Sequence, residues 1–506
     1  MKNRIRLLAT SDVHGYIYPY DYADQSEAEY GLARLNTLIT SLRDENTLLI
    51  DNGDILEGSP LSFYHFHEHK DDVSPMTKVL DAMEYDLINL GNHDFNYGEE
   101  VLLRHLDNMH APLLTGNVLY KGKPLGLTYA VKELAGKKIV LFGVVTHYIP
   151  NWEKKQNIKH FKFPDALETA KKTVDLIRRL EKPDYIIGVY HGGFERDLKT
   201  GQPTEDLTGE NQGYEMLRQI QGLDVLITGH QHRTLAGEAF GTVYTQTADK
   251  GLELACIDIY TDTGAIEPRI LKADTPADPE LEALVQAEED ECQTWLDQPL
   301  GETKTDLAIR DEFDARLHKG SLISFINHVQ MEATGAQLSG TALFLGASGF
   351  GHSITMRNLV STYVYPNTLT VKKITGAILK AYLEKCAEFW TIKGEHIAVS
   401  SRYEYPKPQH YNYDMLDGVS YEIHVSNDIG NRIQNLTYQG KPVTDDMEFT
   451  LVINNYRAAG GGDFYMLKDA PTVRVYTSDM VEVLAEYIMS RLIIEFTPED
   501  NIRVMR

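Results

Sequence analysis

The sequence predicts an α/β domain followed by a second domain of α+β type. Two observations carry this. Over the first 260 residues short apolar runs alternate with helical stripes, and beyond residue 300 the order changes to a helix followed by β-rich sequence with turn signals.

In chain order, the β-like runs lie at 5–10, 48–51, 86–90, 138–145, 185–190 and 225–228. Between several of them lie helical patterns. Leu32, Leu35, Leu38, Ile39 and Leu42 form one stripe, and Leu167, Ala170, Val174 and Ile177 another. Two further β-rich runs, 242–247 and 252–260, would close a second sheet. The texture changes near residue 272. ADTPADPELEALVQAEEDECQTWL is acidic, carries two prolines, and reads as a loop and then a solvated helix. The expected organisation is a first domain over 1–272, an acidic connector over 273–300 and a second domain over 301–506. In the second domain Leu322, Phe325, Ile326 and Val329 share one helix face near 319–334. Turn signals follow at Asp417-Gly418, Gly430-Asn431 and Gln439-Gly440.

Bulk composition narrows the function classes. The 506 residues are 42% hydrophobic, enough for ordinary cores. The net charge of −25, from 49 Lys+Arg against 74 Asp+Glu, argues against a nucleic-acid polymer or an anionic membrane as partner. A small anionic substrate stays possible, because a bound metal can reverse the field inside one cleft. Cys256, Cys292 and Cys386 show no CxxC spacing, so neither a disulfide framework nor a thiolate zinc site is expected. No apolar run reaches the ~18 residues of a membrane span. A soluble, cytoplasmic protein is the expectation.

Five apolar runs hand over, at their carboxyl ends, to short turns carrying His, Asp or Asn. These are Ser11-Asp12-Val13-His14-Gly15, Asn52-Gly53-Asp54, Gly91-Asn92-His93-Asp94, His191-Gly192-Gly193 and Gly229-His230-Gln231-His232. In open α/β sheets the ligand crevice lies outside those ends. Asp12, His14, Asp54, Asn92, His191, His230 and His232 can together ligate two divalent cations, and their oxygen and imidazole donors suit Mn, Fe or Zn. D-x-H and H-x-H on an extended segment would put alternate side chains on one side. A lone carboxylate such as Asp54 can bridge two ions about 3.5–4 Å apart, the arrangement of two-metal hydrolases. The tract Tyr64-His65-Phe66-His67-Glu68-His69 reads instead as an exposed polar segment. No GxxxxGK[ST], GxGxxG or GxSxG element competes with the metal reading.

In this order, D-x-H, G-D, G-N-H-D, H-G-G and G-H-x-H resemble the calcineurin-like metallophosphoesterases, and IDNGDILEGSP and LGNHDFNYG resemble the branch that includes 5′-nucleotidases. The resemblance implies a four-layer α/β/β/α sandwich. It assigns one metal to Asp12, His14, Asp54 and His232 and the other to Asp54, Asn92, His191 and His230. It makes His93 the catalytic imidazole, oriented by Asp94.

YPNTLTVKKITGAILKAYLE, YNYDMLDGVSYEIHV and FTLVINNYRAAGGGDF resemble the family's C-terminal substrate-binding domain, most of all in 2′,3′-cyclic-nucleotide 2′-phosphodiesterase/3′-nucleotidases. The implied substrate contacts are Tyr365 and Tyr456 as a base clamp, with Asn367, Arg457 and Asp463 beside them. The helix near 319–334 would be the hinge. Where 5′-nucleotidases carry an NGGGIR-like loop, this chain has LFLGASGFGHS at 343–353, with neither asparagine nor arginine. That departure leaves Arg357 and Arg457 as the nearest basic candidates and points away from 5′-monophosphates. The expected function is two-metal hydrolysis of small nucleotide phosphoesters, favouring 2′,3′-cyclic and 3′-phosphates. The alternatives are a 5′-nucleotidase and a nucleotide-binding protein without turnover.

Overall fold

A computed structural model describes residues 3–205, 207–365 and 367–506. The chain divides into two compact units, Met1–Gln293 and Thr294–Arg506.

The first unit is built on two large sheets. Its strands are β1 (Arg4–Thr10), β2 (Thr47–Asp51), β3 (Leu87–Ile88), β4 (Ala130–Leu134), β5 (Lys137–Val145), β6 (Tyr185–His191), β7 (Val225–Thr228), β8 (Leu235–Ala239), β9 (Thr242–Gln246), β10 (Glu253–Tyr260) and β11 (Ile266–Lys272). One sheet runs β11-β10-β1-β2-β3 and the other β8-β9-β7-β6-β5-β4. β1, β2 and β3 are mutually parallel, as are β9, β7, β6 and β5, with antiparallel strands completing each sheet.

Strand alternation explains the layering. Ile5, Leu7, Ala9, Leu48 and Ile50 of one sheet share a core with Leu141, Ile187, Val189, Val225 and Ile227 of the other. On the second sheet's opposite face, Val140, Phe142 and Val144 meet Ala170, Val174 and Ile177 of the helix Ala166–Leu180. On the first sheet's outer face, Arg6 donates to the carbonyl of Leu42, the last residue of the helix Leu32–Leu42. The unit is therefore a four-layer α/β/β/α sandwich.

Three expectations change here. β3 is two residues long rather than five, because the chain leaves the sheet for side-chain bonding at Asn89. The Asn89 amide donates to Asn52 Oδ1 (3.1 Å) and the Val144 carbonyl (3.0 Å), and Thr115 Oγ1 donates to its oxygen (2.7 Å), so this buried residue ties the two sheets together. The acidic stretch forms two helices, Pro279–Leu284 and Gln286–Leu296, that bury Leu281, Val285 and Cys292. Its Glu289 carboxylate is buried and accepts the hydroxyls of Tyr20 and Tyr22, so within the first unit it is docked rather than solvated. The tract around His65 is not an exposed segment either. It lies in the helix Pro60–Glu68 with Tyr64, His65 and Phe66 buried, and burial pushes the His65 imidazole down to about 4.

The second unit is built on β12 (Leu338–Ala342), β13 (Thr368–Thr375), β14 (Asp414–Asp417), β15 (Glu448–Asn454) and β16 (Thr472–Asp479), in the order β14-β12-β15-β13-β16. The helix Ser321–Thr334 lies against this sheet. Its Asn327 amide donates to the Met415 carbonyl (3.0 Å) and its oxygen accepts Ser339 Oγ (2.8 Å). Asn327 thus fixes the helix to two neighbouring strands, an α+β arrangement.

Candidate metal centre

All the turns singled out in the sequence leave the carboxyl ends of β1, β2, β6 and β7 or follow β3. They meet because the two sheets are stitched together at those ends. Asn52 Nδ2 donates to the Tyr190 carbonyl (3.2 Å), and the His230 N–H donates to Asp12 Oδ1 (2.9 Å). Gly53 and Gly91 make the approach possible. A Cβ on Gly53, at φ +85°, would lie 2.1 Å from the Gly91 nitrogen, and one on Gly91 would lie 2.1 Å from Asp54 Oδ1.

Two groups of side chains each place their ligand atoms within 4.8 Å of one another and could hold an ion: Asp12, His14 and His232, and Asp54, His191 and His230. Asp54 Oδ2 sits 3.1 Å from His191 Nε2 in the second group and 4.0 Å from His14 Nε2 in the first, between the two. The extended geometry expected for D-x-H and H-x-H is not what aims these side chains. Asp12 (φ 56°), His14 (φ 53°), Asp54 (φ 60°), His230 (φ 69°) and His232 (φ 53°) all occupy the left-handed region. That conformation costs a non-glycine residue of order 1–3 kcal/mol and clusters at functional sites.

The donor set fits cations. His14 Nδ1 faces the Glu57 carbonyl (2.8 Å) and His191 Nδ1 the Asn52 carbonyl (2.6 Å), so each ring holds a proton there and turns an Nε2 lone pair inward. The His191 lone pair then faces the Asp54 carboxylate, and the His14 Nε2 faces His232 Nε2 at 3.2 Å. Asp54 Oδ2, Asn92 Oδ1 and His191 Nε2 are buried with no hydrogen-bond partner among the described residues. Lone pairs converging in a buried space are costly unless a positive charge lies among them.

Electrostatics agree. Burial opposes charge on Asp12 and Asp54, yet the facing imidazoles, His191 first, outweigh it and hold both carboxyls below the usual carboxylate range. Burial likewise opposes charge on His191, but Asp54 and Asp12 push it up to about 9. Burial dominates at His14 and lowers it. Protons here do what cations would do, so cation binding must release them.

His93 opens a short 3-10 turn, His93–Phe95. Its N–H donates to Asp54 Oδ1 (2.7 Å), and its ring lies 5.3 Å from that of His14. Burial opposes its charge, but Glu57 and then Asp54 raise it to about 10. Bound cations would pull that value down. Asp94 does not orient this ring. Its Oδ1 accepts the N–H groups of Ile55 (3.0 Å) and Leu56 (3.1 Å), and its Oδ2 those of Asp54 (3.0 Å) and Gly91 (2.7 Å). The carboxylate is spent clasping the turn after β2 to the turn after β3. His93 Nδ1 is met instead by Asn96 Oδ1 (2.7 Å) and Glu57 Oε2 (3.1 Å), which the motifs did not single out. Nor did they single out Glu210, whose Oε1 lies 3.0 Å from His230 Nε2, or Trp152, stacked on the His230 ring at 5.5 Å. Glu57 was readable only as the third residue after Asp54, and the other three carried no spacing signal.

In the second unit the expected substrate residues are placed as follows. Tyr365 is exposed and packs edge-on to Phe344 (5.1 Å) and Tyr411 (6.5 Å); Pro366 beside it lies outside the described residues. The Asn367 carbonyl accepts the Met480 N–H. Tyr456 lies under Gly461, where a Cβ would come within 2.5 Å of its ring. Asp463 accepts from Arg402 (2.9 Å) and lies 3.5 Å from Lys385. Arg457 is not available to a phosphate. It is 1% exposed, its planar guanidinium lies 3.9 Å from the Phe464 centroid, and it donates to both Asp414 oxygens (2.6 and 3.1 Å) and to the Tyr411 carbonyl (3.0 Å). Arg357 is buried as well and bonds Asp297 (2.8 Å).

A four-layer sandwich whose strand ends can hold a cation pair defines the molecule as a metal-dependent phosphoesterase. Comparison with known proteins then narrows the class. Residues 5–234 match the calcineurin-like phosphoesterase model and residues 299–469 the 5′-nucleotidase C-terminal domain model. The trifunctional nucleotide phosphoesterase protein YfkN of Bacillus subtilis is 27% identical over 98% of this chain, which spans 38% of that protein. A 2′,3′-cyclic-nucleotide 2′-phosphodiesterase/3′-nucleotidase of Salmonella typhimurium is 28% identical over 90% of this chain and 81% of its own length. A crystal structure of a Staphylococcus aureus protein assigned as a 5′-nucleotidase is 33% identical, covers 99% of this chain and 100% of that one, and superposes with a TM-score of 0.93. The chain belongs to the calcineurin-like metallophosphoesterases that carry a 5′-nucleotidase C-terminal domain.

Proposed function

We propose that the protein hydrolyses nucleotide phosphoesters with two divalent cations, favouring 2′,3′-cyclic nucleotides and 3′-nucleotides. The observation that carries the reading is the convergence of Asp54 Oδ2, Asn92 Oδ1 and His191 Nε2, buried and unbonded, beside a second ligand group. Asp12, His14, His232 and Asp54 would hold one ion, and Asp54, Asn92, His191 and His230 the other. Mn, Zn or Fe suits this mixed set. Such a pair, when bound, acidifies a water and draws charge from phosphoryl oxygens. His93 supplies the proton that the departing ribose oxygen needs. The carbonyls of Glu57 and Asn52 keep His14 and His191 in the tautomer that points Nε2 inward. Tyr365 and Tyr456 are the rings proposed for the base, where a flat π-face reads purine and pyrimidine alike.

The substrate preference is supported by the names of the Salmonella relative and its counterparts, and by the 343–353 loop that lacks asparagine and arginine. A 5′-nucleotidase is the second reading, favoured by the end-to-end match with the Staphylococcus aureus protein. The test is a panel of 2′,3′-cyclic AMP, 3′-AMP and 5′-AMP at equal concentration, after chelation and reloading with Mn, Zn or Fe singly. The expected result is kcat/KM at least about tenfold higher for the first two. Faster turnover of 5′-AMP with every metal would reverse the assignment.

A further inference from the structure

We infer that Glu57 is the carboxylate partner of His93, a positioning residue that, with Asn96, fixes the proton on Nδ1 so that Nε2 serves the leaving oxygen. This rests on the phosphoesterase reading above and adds a residue to its machinery.

Glu57 follows β2 by a short turn and is 3% exposed, so its carboxylate points into the protein rather than into water. Its Oε2 lies 3.1 Å from His93 Nδ1, and Asn96 Oδ1 lies 2.7 Å from the same nitrogen. The orientation of the Asn96 amide is settled by its other end, because Nδ2 donates to Glu153 Oε2 (2.5 Å). Both groups facing Nδ1 are therefore acceptors, and two acceptors on one ring nitrogen require a proton there. The second ring nitrogen, Nε2, makes no hydrogen bond to any described residue.

The backbone contributes as well. The Glu57 carbonyl accepts from His14 Nδ1 (2.8 Å), so one residue holds a proposed ligand by its main chain and the catalytic imidazole by its side chain. The adjacent acid that could have replaced it is committed, since both Asp94 oxygens are occupied by four N–H groups.

In the step this serves, a water oxygen bonds to phosphorus and the bond from phosphorus to the ribose oxygen breaks. The bonding pair stays on the ribose oxygen, which takes the Nε2 proton of the doubly protonated His93 ring and leaves that ring neutral with its proton on Nδ1. The proton lost by the attacking water returns to the imidazole through solvent. A carboxylate on Nδ1 stabilises the ring while it carries charge and keeps Nε2 aimed.

The test uses Glu57→Gln in the full, metal-loaded chain with two substrates. One is the best nucleotide of the panel, whose ribose oxygen needs a proton. The other is bis(p-nitrophenyl) phosphate, whose phenolate leaves without one. The expected result is a kcat loss of about 100-fold on the nucleotide with KM little changed, and a loss under about threefold on the nitrophenyl ester. Metal content by elemental analysis should equal that of wild type. Nitrogen-15 shifts of the His93 ring, assigned with His93→Ala, should show Nδ1–H held in a strong hydrogen bond in wild type and that bond weakened in the variant. Equal losses on both substrates, a fall in metal content, or an unchanged Nδ1 signal would each overturn the assignment. A wild-type chain that turns over neither ester would sink the phosphoesterase reading itself, while the ring shifts would still report on the Glu57 contact.

Discussion

Replacing Asp94 by asparagine asks whether this residue clasps loops or orients His93. The carboxylate accepts four backbone N–H groups, two on each oxygen, at 2.7–3.1 Å. An amide keeps one oxygen and therefore two of those bonds. Its NH2 group then faces two buried donors that no longer have an acceptor. Each such loss costs about 1–3 kcal/mol, which makes about 2–6 kcal/mol in all. The lower half of that range is expected, because burial and the neighbouring Asp54 raise the Asp94 carboxyl above its ordinary value, and the neutral amide escapes that repulsion. Urea unfolding in chelator, followed by fluorescence, should place the variant about 2–4 kcal/mol below wild type at unchanged m. Glu57→Gln in the same assay should cost less than Asp94→Asn, about 1–2 kcal/mol, since it weakens one ion pair with His93 and leaves every backbone bond in place. If Asp94→Asn leaves the midpoint in place while kcat collapses, the clasp account is wrong.

Three further outcomes follow from the geometry. Gly91→Ala puts a methyl 2.1 Å from Asp54 Oδ1, so metal affinity should drop at least about tenfold by titration against a chromophoric chelator. Arg457→Met strands the buried Asp414 carboxylate, and thermal unfolding of the second unit should show a loss of about 3–5 kcal/mol instead of a change confined to KM. Burial pushes the Glu195 carboxyl from 4.5 up to about 7, against N–H bonds from Tyr214 and Glu215. The folded state then holds a proton that the unfolded chain has released, so this group's contribution to stability falls as pH rises from about 4.5 to about 7, by on the order of 3 kcal/mol. Glu195→Gln should flatten that slope in denaturant titrations of the metal-free protein.

The sequence made the layers readable because each strand carries a period-two or fully apolar run, and β7 falls on 225–228 as expected. It also showed which turns gather, since Gly beside His, Asp or Asn at the end of an apolar run is a local pattern. What it hid depends on contacts across the fold. Asp94 stands next to His93 in sequence, yet the 3-10 turn swings its carboxylate toward the β2 turn and brings Asn96 under the ring in its place. Arg457 sits in a motif-like loop, but whether a guanidinium faces substrate or Asp414 is decided by the partner 43 residues away. The docked acidic helices were concealed by their charge, which outweighs in composition the few apolar residues that anchor them.

The left-handed turns at Asp12, His14, Asp54, His230 and His232 bear on the protein's fate in a cell. A nascent chain must bend five of its side chain-bearing residues against their own preference before any ion arrives, at about 1–3 kcal/mol for each. Cation capture is the event that recovers this outlay. Where divalent cation is scarce, proteolysis should therefore remove the polypeptide before idle enzyme accumulates, so abundance itself becomes a gauge of cation supply.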